Sequence, residues 1–92
     1  MSEAGDRLDI VLNRLCLTRS RSEAKNACEA GAVQMSGKPA KPSQILSPGD
    51  VVTLRFTTRL LEFRILELPG KSVSKKAARE MYEVLRDERI EL

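Results

Sequence analysis

The chain has 92 residues, 41% of them hydrophobic and 32% charged, enough for one small hydrophobic core and too short for two. No apolar run approaches the ~18 residues of a membrane span, and the first residues, MSEAGD, are polar and acidic, so no membrane partner and no secretory leader is expected and the cytoplasm is the expected compartment. Histidine is absent and there are only two cysteines, Cys16 and Cys28, so no metal site and no cofactor is expected; both thiols are expected to be small buried groups rather than a disulfide.

The first predicted element is a helix over about residues 7 to 17, where Leu8, Val11, Leu12 and Leu15 form an apolar stripe at helical period, with Asp6 as N-cap. Arg7 and Arg14 lie along one edge of that stripe. A second, shorter helix over about 21 to 30 is announced by Ser20 and Glu23, a capping box, and closed by Gly31 at C′. Its buried face is small, made of Ala24, Ala27 and Cys28, and Arg21 and Lys25 project together from its first turns.

AVQM then reads as a short strand, SGK as a tight turn at Gly37, and PAKPSQIL as an extended segment that Pro39 and Pro42 keep out of regular pairing. After a turn at SPGD, VVTLRF and LLEFRI alternate as a β-hairpin, with Val52, Leu54, Phe56 and then Leu61, Phe63, Ile65 on the apolar face; the alternation slips after Ile65, as at a bulge or a strand end. Ser74 is placed to cap a last helix in which Ala78, Met81, Tyr82 and Leu85 share a face. Helices, strands and a final helix make an α+β protein.

Charge is unevenly spread. Residues 7 to 49 carry seven cations, Arg7, Arg14, Arg19, Arg21, Lys25, Lys38 and Lys41, against Asp9, Glu23 and Glu29. Residues 71 to 79 are wholly basic among their charged positions, and 80 to 92 mostly acidic. A solvated surface is the ordinary use of such cations, but these sit beside caps and turns, where a rigid scaffold can hold them against phosphates. Phe56, Phe63 and Tyr82 all fall on apolar faces, which argues against base stacking and for structured RNA read by phosphate contacts and shape. Catalysis is not expected: each carboxylate has a cap, turn or surface role. The PGKS at 69 to 72 is not a P-loop, because Ile65 stands where the leading glycine belongs.

The ordered elements R-L-D at the first helix, T-R-S-R-S-E-A-K entering the second, G-x-V, S-G-K, K-P-S and P-G-D-V resemble the αL RNA-binding motif of the S-four domain family over residues 7 to 54. The resemblance implies two packed helices and a small, mainly antiparallel sheet. Residues 55 to 92, a β-hairpin and helix extension of the same domain, resemble the small ribosome-associated heat-shock protein family, and residues 1 to 6 are expected to be a disordered N-terminus.

A surface of Arg7, Arg14, Arg19, Ser20, Arg21, Lys25, Lys38 and Lys41 is thus expected to bind structured RNA. The family resemblance implies ribosomal RNA or the large ribosomal subunit as partner, with a role in rescuing free large subunits that still carry a nascent chain on transfer RNA. A monomer is expected. Two alternatives stand beside this reading: an accessory RNA-binding module like those of pseudouridine synthases or RNA methyltransferases, against which the lack of a following catalytic domain speaks, and a protein-interaction adaptor using the last helix.

Overall fold

In the computed structural model, which describes residues 5–70 and 73–89, the apolar stripes meet in a single core. Strand β1 (Asp6–Arg7) leads into helix α1 (Leu8–Arg14), followed by α2 (Arg21–Glu29), β2 (Val33–Met35), β3 (Lys38–Pro39), β4 (Ile45–Leu46), β5 (Val51–Arg55), β6 (Arg59–Ile65), α3 (Lys75–Arg79) and β7 (Tyr82–Arg89). Five strands form one antiparallel sheet in the order β3-β2-β5-β6-β7, and β1 pairs antiparallel with β4. Leu8, Val11, Leu12 and Leu15 of the first helical segment are buried with Ala24 and Cys28 of α2 and with Val33, Val52, Leu54, Leu61, Phe63 and Ile65 of the sheet. The small face of α2 is what lets the two helices pack closely.

The start of α1 differs from the expected one. Asp6 pairs with Leu46 in β1, and Arg7 occupies the N-cap without a side-chain cap bond. The free N–H groups of the first turn are met by backbone instead: Leu8 donates to the Gln44 carbonyl at 2.8 Å and Asp9 to that of Pro42 at 3.1 Å. Proline cannot donate, but its carbonyl accepts, so the segment expected to stay unpaired becomes the cap of α1. Lys38 and Pro39 also pair, opposite Met35 and Gln34, across a two-residue turn in which Ser36 and Gly37 both have positive φ.

Both longer helices end in the same way. In α2, Gly31 at φ 80° donates to Cys28 and Ala32 to Ala27; in α1, Cys16 at φ 61° donates to Asn13 and Leu17 to Leu12. Each is a Schellman motif, but only α2 has the glycine that signals one. The left-handed turn brings Cys16 to the surface, so the expectation of two buried thiols holds for Cys28 alone.

The largest departure is at the C-terminal end. Ser74 does cap a helix, its hydroxyl accepting from the Ala77 N–H at 3.1 Å, but that helix stops at Arg79 and the chain turns into β7. Leu85 is therefore not on a buried helical face; it is exposed. A continued helix would satisfy its own backbone yet leave the outer edge of β6 unpaired, whereas β7 runs the length of that edge. Tyr82 and Val84 fall opposite Ile65 and Phe63, and the Tyr82 ring meets Phe63 edge-on at 5.2 Å. The irregularity in register lies between Glu62 and Phe63, while Ile65 is simply the end of β6. Residues 1 to 4, most of the expected disordered N-terminus, lie outside the described residues, as do Lys71 and Ser72 of PGKS and residues 90 to 92.

Candidate nucleic-acid interface

Two helix beginnings come together around one buried carboxylate. Asp9, in the first turn of α1, is 2% exposed. It accepts from Arg7 through both oxygens, Nε at 3.2 Å and Nη2 at 3.1 Å, and from Arg21 Nε at 3.3 Å. Burial pushes the Asp9 carboxyl up, but the two guanidinium groups, by hydrogen bonds and charge together, outweigh it and hold the carboxyl below the usual aspartate range. Asp9 therefore stays ionised and fixes two arginines that lie on different elements.

The second helix is set by its own local chemistry. Ser20 Oγ accepts from the Glu23 N–H at 3.0 Å, and Glu23 Oε1 accepts from the Arg19 N–H at 3.0 Å, so the carboxylate reaches one residue beyond the usual capping-box partner. Arg21 and Lys25 then stand one turn apart at the positive end of the helix. Together with Arg7, Asp9 and Ser22 they line one shallow depression. Among the described residues Lys25 makes no ion pair, and only the Nε of Arg21 is engaged.

The other expected site residues are not all brought to this place. Arg19 opens onto a separate depression with Asn13, Cys16, Leu17, Thr18, Glu23 and Lys75. Arg14 is not among the residues that line the depression of Arg21 and Lys25: its Nη1 donates to Asp6 Oδ2 at 3.2 Å and to the Pro69 carbonyl at 3.4 Å, tying α1 to β1 and to the loop after β6. Ser20 serves as a cap. Lys38, in the β2–β3 hairpin, and Lys41, in the segment that caps α1, are exposed but do not line the depression of Arg21 and Lys25.

Asp9 was missed as a site residue by reasoning on charge alone, which looks for cations. The available signal was its place in R-L-D: a carboxylate next to Leu8 on the first turn of an apolar stripe is headed for burial and needs positive partners. Phe56 was also misplaced. It comes after β5 at the hairpin turn, its N–H donating to the Arg59 carbonyl at 2.7 Å, and the residue is 37% exposed.

Among known proteins, residues 6–52 match the S4 domain family. The chain is similar to the RQC P-site tRNA stabilizing factor of Bacillus subtilis, 33% identical over 84 residues that cover 91% of this chain and 96% of that one. The factor of the same name from Helicobacter pylori is 37% identical over 71 residues, covering 76% and 84% of the two chains. Among solved structures, Heat Shock Protein 15 of Vibrio cholerae, described as trimeric, superposes with a TM-score of 0.79 at 28% identity over 87% of this chain and 81% of that one.

Proposed function

Because the chain belongs to the S4 domain family and, over nearly its whole length, to the family of RQC P-site tRNA stabilizing factors, we propose that it binds structured RNA of the large ribosomal subunit and helps hold transfer RNA in the P site during quality control. The observation that carries the binding mode is the Asp9 clamp. A buried anion holds Arg7 and Arg21 in place, so that their outward N–H groups and the Lys25 ammonium meet a phosphate without first being ordered. Arg19 extends the surface, and Lys38 and Lys41 contribute at its margin.

The protein acts by binding and not by catalysis. Among the described residues the one buried carboxylate, Asp9, is kept ionised between two guanidiniums that engage both of its oxygens, which leaves it poorly placed to give or take a substrate proton. It works as a monomer in the cytoplasm, the compartment where ribosomes are found; sedimentation at micromolar concentration tests the monomer. No helix among the described residues is long and apolar enough to cross a membrane.

The test is salt dependence with an RNA stem-loop. With about four to six cations engaged, log K falls against log salt with a slope of roughly −3 to −5. A slope near zero, or tighter binding of an unpaired strand than of the stem-loop, discards the phosphate-surface reading. Co-sedimentation with large subunits carrying P-site transfer RNA, compared with empty ones, tests the cellular role.

A further inference from the structure

Another groove lies at the other end of α1, and it continues from the Arg19 depression. It has a volume of about 560 Å³, and its lining includes Leu17 from the end of α1, Phe56 from the hairpin turn, Val84 of β7, and Lys75 and Arg79 of α3. Cys16, Leu17 and Lys75 line this groove and the Arg19 depression alike, so the two form one track. None of the groove's lining residues is acidic. Its third cation, Arg59, is already held by Asp87 in a two-bond pair, but Lys75 and Arg79 make no ion pair among the described residues.

We propose that this groove holds an unpaired nucleotide of the bound RNA, its base against Phe56 and its phosphate on Lys75 and Arg79. The inference rests on the RNA-binding reading above and extends it from structured RNA to a single-stranded segment leaving the structure. An exposed aromatic residue beside two cations that make no ion pair among the described residues is the combination by which single strands are held: a π-face for any base and positive charge for the backbone. The volume lies within the range of small-molecule sites, ~300–1,000 Å³, and so admits one nucleotide. An acidic peptide would answer to the same cations, but continuity with the Arg19 depression favours RNA, since a chain bound at Arg19 passes directly to Lys75.

The experiment compares a stem-loop with the same stem-loop carrying a three-nucleotide unpaired extension that contains 2-aminopurine. The extension is expected to tighten binding by about tenfold and to quench the fluorescence by stacking. Phe56→Ala should abolish the gain and the quenching while binding the bare stem-loop as the parent does, and Phe56→Tyr should keep both. Lys75→Ala with Arg79→Ala should abolish the gain, and melting temperatures confirm that the variants fold. An extension that adds nothing to a stem-loop that binds, or a gain that survives both sets of substitutions, overturns the proposal. So does binding of polyglutamate that depends on Lys75 and Arg79 while the extension has no effect. Should the stem-loop itself fail to bind, the broader function falls, and a short unpaired 2-aminopurine oligonucleotide still decides the groove: quenching that requires Phe56 supports it, and its absence overturns it.

Discussion

Two of the arginine–carboxylate groupings among the described residues are alike in composition and differ in consequence. On the β6–β7 ribbon, Arg59 grips Asp87 through two bonds of 2.8 Å each; at the helix beginnings, the bonds from Arg7 and Arg21 to Asp9 are longer, 3.1 to 3.3 Å. Hydrogen-bond length alone would rank the ribbon pair first. Exposure reverses the order: Asp87 is 45% exposed and Asp9 2%. Both carboxyls are held below the usual range, Asp87 chiefly by its bonds to Arg59, Asp9 by two arginines working against burial. Water and salt can replace the partner of an exposed charge but not that of a buried one. The shorter pair therefore decorates the sheet edge, and the longer set organises the site.

The sharpest way to break this comparison is to remove each carboxylate. Asp9→Asn should lower stability by about 2 kcal/mol, as for charge-assisted hydrogen bonds to a buried group, and weaken RNA binding because Arg7 and Arg21 are released. The effect has a definite pH dependence. Asp9 has a depressed folded-state pKa, so its stabilisation is complete above the unfolded value near ~3.9 and is lost as pH falls through the lower folded value. Denaturant unfolding of parent and variant should thus differ by a constant amount from neutral pH to about pH 5 and converge under acid below about pH 4. Convergence at neutral pH would show that Asp9 carries no buried ionic bond.

Within the site, Arg21 and Lys25 should separate. The sequence places both off the apolar face of α2, but Arg21 is bonded to Asp9 and Lys25 is not. Lys25→Ala should cost about 1 kcal/mol of RNA affinity with an unchanged melting temperature. Arg21→Ala should cost at least as much and also lower the melting temperature. Equal losses from Arg64→Ala and Arg86→Ala, which lie on the ribbon, would mean that only net charge is sensed.

Asp87→Asn is the counterpart on the ribbon. Thermal unfolding should place it within experimental scatter of the parent, with RNA binding unchanged. A loss comparable to that of Asp9→Asn would remove burial as the deciding variable.

The smallest effect is read through a thiol. Burial, with the negative charges of Asp9 and Glu29 behind it, pushes the Cys28 thiol up to about 11, so it should resist alkylation in the folded protein while exposed Cys16 reacts. Asp9→Asn should bring the onset of Cys28 alkylation to lower pH, since one of the charges opposing the thiolate is gone. An unchanged profile would place Cys28 beyond the reach of the Asp9 charge.

Much of the N-terminal part was legible because its signals are local. The stripe Leu8, Val11, Leu12, Leu15 has helical period, Ser20 and Glu23 cap the start of α2, and Gly31 supplies the left-handed residue that ends it. Cys16, which adopts the same conformation without being glycine, left no such trace. Residues 81 to 85 satisfy two periods at once: Ala78, Met81, Tyr82 and Leu85 suit a helix, while Tyr82 and Val84 alternate as a strand. No local rule chooses between them.

The residues alone thus determined the class of the protein and the chemistry it presents: one α+β core, two capped helices with cations at their beginnings, an antiparallel hairpin, and a family of RNA-binding domains. The tertiary structure decided whatever depends on partners distant in sequence. It turned the last segment into β7, because the β6 edge needed a ladder, and it supplied carbonyls from Pro42 and Gln44 to start α1. It also sorted equal-looking cations into an anchor at Arg14, a clamp of Arg7 and Arg21 on Asp9, and an ammonium at Lys25 with no ion pair among the described residues. The physical reason is common to all three: local propensities are set by neighbours a few residues away, whereas desolvation and the pairing of backbone groups are set by whatever the fold brings next to them.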